Sequence, residues 1–230
     1  MFKKNVLFLC TVIVLVLLSL IYGIKTSASF NNNTNVSAIL KKSNNIHVSI
    51  MNNPKFSSKY FNNAINTLDD LISKSDLVVK VKVESDRTNY NQAVLSRVII
   101  KQIFKGNEAK NGDNIFIYEP SNFIVGNVSF LCFDGYTLMQ PQYEYILFLK
   151  HLEIPKGYNY SGKEQISYLP VSSIYGKYKI SNNPEYKVIN TSANNNLKYK
   201  EVENMDLIAS NNDVLNKYKN LKLNVLDLFH

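Results

Sequence analysis

Few side chains in this sequence can do chemistry, and they are widely spaced. Its three histidines are His47, His151 and His230, and its two cysteines are Cys10 and Cys132. A zinc site needs three or four Cys, His or carboxylate ligands that converge, and the sequence contains no His-Glu-x-x-His pair. The Gly-x-Ser-x-Gly elbow of a serine hydrolase is also missing. Cys132 lies in the apolar run Val128-Ser129-Phe130-Leu131-Cys132-Phe133, which reads as a buried, inert thiol. The alternatives are a nucleophile, for which His151 is the best partner, or an intermolecular disulfide. Asp134 and Glu144 can both rim strand ends, and paired carboxylates hydrolyse glycosides. Asp69 and Asp70 are adjacent on a predicted helix, so they point about 100° apart and read as a solvated face. The loop from Lys105-Gly106 to Asn111-Gly112-Asp113 lacks the Gly-Lys-Ser/Thr ending of a phosphate loop. No catalytic residue, metal ligand or cofactor site is assigned from the sequence.

Location is the stronger signal. Lys3 and Lys4 precede an uncharged run from Val6 to Ile24, broken only by Thr11, Ser19 and Gly23 and closed by Lys25. As a helix at about 1.5 Å per residue, such a run nearly spans a hydrocarbon layer of about 30 Å. The flanking lysines hold the N-terminus inside, so the chain after Lys25 is expected outside. Residues 1–28 are read as a membrane anchor, contacting the bilayer through residues 6–24, or as a signal peptide cleaved after Ala28. Cys10 sits too early, after bulky Leu9, to be a lipoprotein cysteine.

Residues 29–59, rich in Asn and Ser, are expected to be a spacer, with one short edge strand around Ile46, Val48 and Ile50. Residues 60–230 are expected to form one extracytoplasmic domain. The net charge is +8; Lys3, Lys4 and Lys25 flank the run, leaving about +5 outside, nearly all of it lysine. That charge suits a cell-envelope protein or an anionic polymer as partner, although the lysine- and asparagine-rich composition that an AT-rich genome produces is the simpler reading. Two arginines, Arg87 and Arg97, make a poor phosphate-reading set, so nucleic acid is not expected.

Within the domain, Phe61 to Ser73 carries an apolar stripe at helical spacing. Leu77, Val79, Val81 and Val83 alternate with Val78, Lys80, Lys82 and Glu84, which is the pattern of a half-buried strand. Strands follow at Val94–Phe104, Ile115–Tyr118, within Phe123–Phe133, and at Tyr143–Lys150, Ile166–Leu169, Tyr175–Ile180 and Tyr186–Ile189. Val94–Phe104 and Tyr143–Lys150 are apolar on both faces, so they belong in a barrel or under a helix. Asp134-Gly135 signals a turn. Residues from Val202 to Leu223 read as a helix capped by Asn212. The expected fold is mainly β with flanking helices: a small OB-like β-barrel of six to eight short strands, an N-terminal hydrophobic helix and a C-terminal helix. Tyrosines 136, 143, 158, 160, 168 and 175 fall near turns and strand ends; a structural role is favoured over a binding surface.

Four segments carry a resemblance: Ser-Asp-Leu-Val-Val-Lys-Val-Lys-Val at 75–83, Val-Ile-Ile-Lys-Gln-Ile-Phe-Lys-Gly at 98–106, Tyr-Glu-Tyr-Ile-Leu-Phe-Leu at 143–149 and Tyr-Gly-Lys-Tyr-Lys-Ile at 175–180. The stretch resembles uncharacterised exported proteins of Gram-positive bacteria. More distantly it is similar to the OB-like barrel of the netrin-module and tissue-metalloproteinase-inhibitor group. Inhibitors of that group chelate a protease zinc with a disulfide-tied N-terminal cysteine, which this chain lacks, so the resemblance implies the fold and not that activity. The expected function is a non-enzymatic binding module of the cell envelope. Alternatives are an envelope hydrolase whose site assembles only in three dimensions, or a structural or immunity-type membrane protein.

Overall fold

A computed structural model describes residues 11–25, 34–42, 45–126, 129–189 and 196–229. Residues 11–25 are helical (α1) and exposed. Among the described residues no helix is long and apolar enough to cross a membrane. Residues 6–10 of the apolar run, with Cys10, and the expected cleavage point after Ala28 lie outside the described residues.

The centre of the fold is a closed ring of five strands: β2 (Leu77–Asn89), β3 (Val94–Lys105), β4 (Asn114–Glu119), β8 (Ser167–Pro170) and β7 (Glu144–His151). β2 pairs with β7 to close the ring, and β4 with β8 is its one parallel pair. Ring closure removes the unpaired edges that an open sheet would expose. β9 (Lys177–Ile180) continues past β8 along the same edge of β7.

The alternation seen in the sequence decides which side is inside. Leu77, Val79, Val81 and Val83 join Val98, Ile100, Ile115, Ile117, Leu147 and Leu149 in the barrel interior. Val78, Ile146 and Phe148 face outward and are covered by α6 (Asn212–Phe229), whose Tyr218, Leu221 and Val225 are buried against them. β2 and β7 are therefore apolar on both faces because both faces are covered.

The chain between β4 and β7 forms a second sheet. β5 (Ser121–Ile124) pairs with β6 (Ser129–Phe133), and β6 pairs in parallel with β1 (His47–Met51). α2 (Val36–Lys42) contributes buried Val36 and Ile39 to this layer, and Ile46 precedes β1. Much of the stretch expected to be a spacer is thus built into the core. It also supplies α3 (Pro54–Tyr60), started by the Asn53 side chain accepting from the Phe56 amide and by a proline at the first turn. The short edge strand expected near Ile46 to Ile50 is β1, which pairs with β6 at the edge of this sheet.

Two expected helices have other bounds. Helix α4 covers only Leu68–Ser73, because Thr67 and Asp70 form a reciprocal cap there. Asp70 accepts from the Asn66 and Thr67 amides, so it caps the helix besides facing solvent. Upstream, the Asn62 side chain accepts from the Ala64 amide, a local bond that competes with a helical turn. At the C-terminus a single helix from Val202 is replaced by α5 (Tyr199–Val202), β11 (Leu207–Ala209) and α6. β11 pairs with β10 (Tyr186–Val188), a contact no local pattern encodes. Asn211, not Asn212, caps α6 by accepting from the Val214 amide. β2 also runs into the expected turn at 86–91, as far as Asn89, with irregular pairing between Val83 and Arg87.

Candidate binding groove

The residues singled out for chemistry do not converge. Cys132 is fully buried in β6, where its thiol lies 3.7 Å from the Ser49 carbonyl. Burial pushes that thiol up to about 12. His151 ends β7 in the other sheet; its Nε2 lies 2.6 Å from Glu108, and its ring packs on Tyr168. Asp134 sits in a left-handed turn, where its carboxylate accepts from Ser173 Oγ (2.6 Å) and Asn63 Nδ2 (3.0 Å). Glu144 opens β7 opposite Lys82 and Ile180. Among the described residues no group of three or more His, Cys, Asp or Glu side chains could hold a metal ion. A buried, protonated thiol is inert. In a Cys10→Ser chain, Cys132 is therefore expected to resist an aromatic disulfide reagent until the fold is unfolded in urea; full labelling of the native chain would contradict this.

A buried polar network joins the barrel to the second layer. Glu119 at the end of β4 is wholly buried and accepts from Ser96 Oγ (2.5 Å), the Met139 amide (2.8 Å) and Tyr136 Oη (3.2 Å). Burial pushes its carboxyl up, although Arg87 and Lys177 pull it down. Lys177 donates to the Thr137 carbonyl and lies 4.2 Å from the Tyr136 ring centre. Burial, opposed by Glu119 and Asp206, lowers its ammonium to about 8. Arg87 donates to the Met139 carbonyl. Part of the lysine-borne charge is therefore in the interior, not on the surface.

A lysine whose folded pKa lies below its unfolded value contributes stability that is lost as pH falls through the folded value. Stability is thus expected to rise from about pH 8 toward 10. Lys222, also lowered chiefly by burial, acts in the same sense. Lys177→Met is expected to flatten part of this rise, measured as urea midpoints across that range.

Three clefts surround α3 and the loop after β7. The largest, about 600 Å³, is polar, and Lys59, Lys150, Glu153 and Asp134 line it. Its central cluster is internally satisfied: Ser172 Oγ donates to Asn63 Oδ1 (2.6 Å), and Ser173 and Asn63 bond to Asp134. The second, about 340 Å³, is aromatic. Phe56, Tyr60 and Phe61 enter it from α3 and its end, Tyr118 from β4, Phe133 from β6 and Tyr160 from the β7–β8 loop. Asn91, Gln92 and Ala93 of the β2–β3 turn and Glu164 complete its wall. Phe56 stacks on Phe133 at 4.9 Å and packs against Tyr60 at 5.3 Å. The third, about 450 Å³, holds His151 and shares Leu152, Tyr160 and Glu164 with the second, so the two are neighbouring parts of one groove.

The aromatic cleft is the best candidate site. Its rings come from distant segments and leave Tyr60 45% exposed, while in the polar cleft Asn63 and Asp134 are taken up by each other and by Ser172 and Ser173. Sequence reading missed Phe56 because it fell in the assumed spacer, and Tyr60 because it stood at the very start of the expected domain. The Asn53-Pro54 helix start followed by Phe56 and Tyr60 four residues apart was the available signal. Among the tyrosines weighed above, Tyr136, Tyr168 and Tyr175 are core residues, whereas Tyr160 lines the groove.

The chain matches no family model, no curated protein and no solved structure.

Proposed function

We propose that this chain is an exported, membrane-tethered, non-enzymatic binding module of the cell envelope, built on an OB-like barrel. The observation that carries the reading is the aromatic groove between the β2–β3 turn and the β7–β8 loop. Numbered in chain order, the five strands run 1-2-3-5-4 around the ring and back to 1, with strands 3 and 5 parallel. In an OB-type barrel the loops joining strands 1–2 and 4–5 flank the ligand face, and those are the two loops that wall this groove. Export and tethering rest on the charged-flanked run from Val6 to Ile24.

The test is co-sedimentation of the full-length chain with isolated Gram-positive cell walls. Tyr60→Ser combined with Tyr160→Ser is expected to weaken binding at least about tenfold, since ring stacking contributes about 1 kcal/mol or more per contact, while the unfolding midpoint stays close to that of the parent. Unchanged binding would overturn the reading.

One observation favours a hydrolase instead: His151, which pairs with Glu108, lines a cleft together with Glu164. The hydroxyl lining the same cleft, Ser167 Oγ, donates to the Lys163 carbonyl. Wall hydrolysis abolished by His151→Gln would establish that alternative.

A further inference from the structure

The charge of the aromatic cleft runs against that of the chain. The whole sequence has 26 Lys and Arg against 18 Asp and Glu. Yet among the described residues no lysine or arginine lines this cleft, and Glu164 is the one charged side chain there. The polar cleft beside α3 differs in having both signs, Lys59 and Lys150 with Asp134 and Glu153. The Glu164 carboxylate is held in place: Tyr158 Oη lies 3.0 Å from each of its oxygens, and the Ser161 amide donates to it at 3.3 Å. Its negative charge reaches Tyr118, whose phenol is pushed up first by burial and then by Tyr90 and Glu164.

Phosphate-bearing ligands do not suit such a site, since a fixed anion repels them and no cation answers them. Electron-rich ring faces with a carboxylate are the chemistry that recognises an organic cation. Size points the same way. At about 340 Å³ the cleft lies at the lower end of the range for ligand sites, about 300–1,000 Å³, which suits a compact head group better than a run of sugar rings.

Resting on the groove reading above, we infer that the cleft between α3, β4 and the β7–β8 loop binds an organic ammonium group, with Tyr118, Tyr160 and Tyr60 supplying ring faces and Glu164 the counter-charge. Two sources offer that group: a quaternary head such as choline, and the primary ammonium of a lysine side chain. They share the chemistry and differ in the hydrogen bonds the nitrogen can donate.

The experiment uses the full-length chain in a non-ionic polyoxyethylene detergent. The sequence contains fifteen tyrosines and no tryptophan, so tyrosine emission is a usable reporter. Choline, N-acetyl-lysine methylamide, 3,3-dimethylbutan-1-ol (the uncharged isostere of choline) and chitotriose are titrated separately. Choline or the lysine amide is expected to bind at least about tenfold more tightly than the isostere. Whichever cation binds more tightly identifies the source. Glu164→Gln is expected to erase most of the preference for the cation while leaving the isostere unchanged, and Lys217→Gln, remote from the cleft, is expected to change neither.

Equal binding of choline and its neutral isostere would overturn the ammonium assignment while leaving the groove as a binding site. Preference for chitotriose would do the same in favour of a glycan. If neither cation binds but cell-wall binding persists and still depends on Tyr60 and Tyr160, only the ammonium assignment falls. If cell-wall binding is also independent of those rings, the groove reading falls with it.

Discussion

Asp206→Ala is expected to lower the unfolding free energy by about 3–5 kcal/mol, measured by urea titration near neutral pH. Asp206 is buried just before β11, where Lys222 Nζ lies 2.5 Å from Oδ1 and Lys179 Nζ 3.4 Å from Oδ2. The two lysines come from α6 and β9, and both are themselves buried. Removing the carboxylate leaves two ammonium groups in the interior facing each other without a counter-charge. Lys179 keeps the Asn204 carbonyl and the Tyr143 ring, which soften the loss without replacing an anion. Asp206 also accepts from the Glu185 amide, so the entry to β10 loosens as well. If the damage is uncompensated charge, replacing Lys179 and Lys222 by Met together with Asp206→Leu should recover most of the stability. A loss below about 1 kcal/mol for Asp206→Ala, as for an exposed pair, would contradict the burial argument.

Gly135→Ala is expected to destabilise by more than about 4 kcal/mol, the range reserved for a specific structural break. Phe133 to Tyr136 form a tight turn in which Asp134 has φ +52° and Gly135 φ +80°, closed by the Tyr136 amide on the Phe133 carbonyl. Asp tolerates the left-handed region; alanine does so poorly. A Cβ at 135 would also stand 1.8 Å from the Ile208 carbonyl oxygen of β11, which is backbone and cannot swing aside. Gly135 accepts from the Ile208 amide at 3.1 Å, so turn and strand are locked together. Behind this turn come Tyr136, Thr137 and Met139, which bond to Glu119 and Lys177. Displacing it therefore disturbs the polar network as well as the backbone. Gly112→Ala, at φ +93° with open space around it, serves as the control: it shares the backbone strain but not the clash, and a much smaller loss is expected.

How much was legible depended on how local the cause was. The inward face of β2 was readable because a strand's side chains alternate strictly and Leu77, Val79, Val81 and Val83 keep that period. The Asp134-Gly135 turn was readable because few residues accept two successive left-handed conformations. The helix expected from Phe61 was misread because its apolar spacing imitates a helix, while Asn62 and Asn63 spend their side chains on Ala64, Asp134 and Ser173. β11 was missed because its partner, β10, is about twenty residues away.

The candidate site was the least legible part. Phe56, Tyr118, Phe133 and Tyr160 belong to α3, β4, β6 and the β7–β8 loop, and only the packing of α3 and the second sheet beside the ring brings them to one cleft. Nor did any pattern mark Lys177, Lys179 and Lys222 as interior; on composition they were surface charge. By itself the sequence determined the strand series, the face of β2 that is buried and the one tight turn, because these depend on neighbours within a few residues. Which strands meet, which charges are sealed inside and which rings share a cleft were decided by tertiary structure, because each depends on side chains brought together from distant parts of the chain.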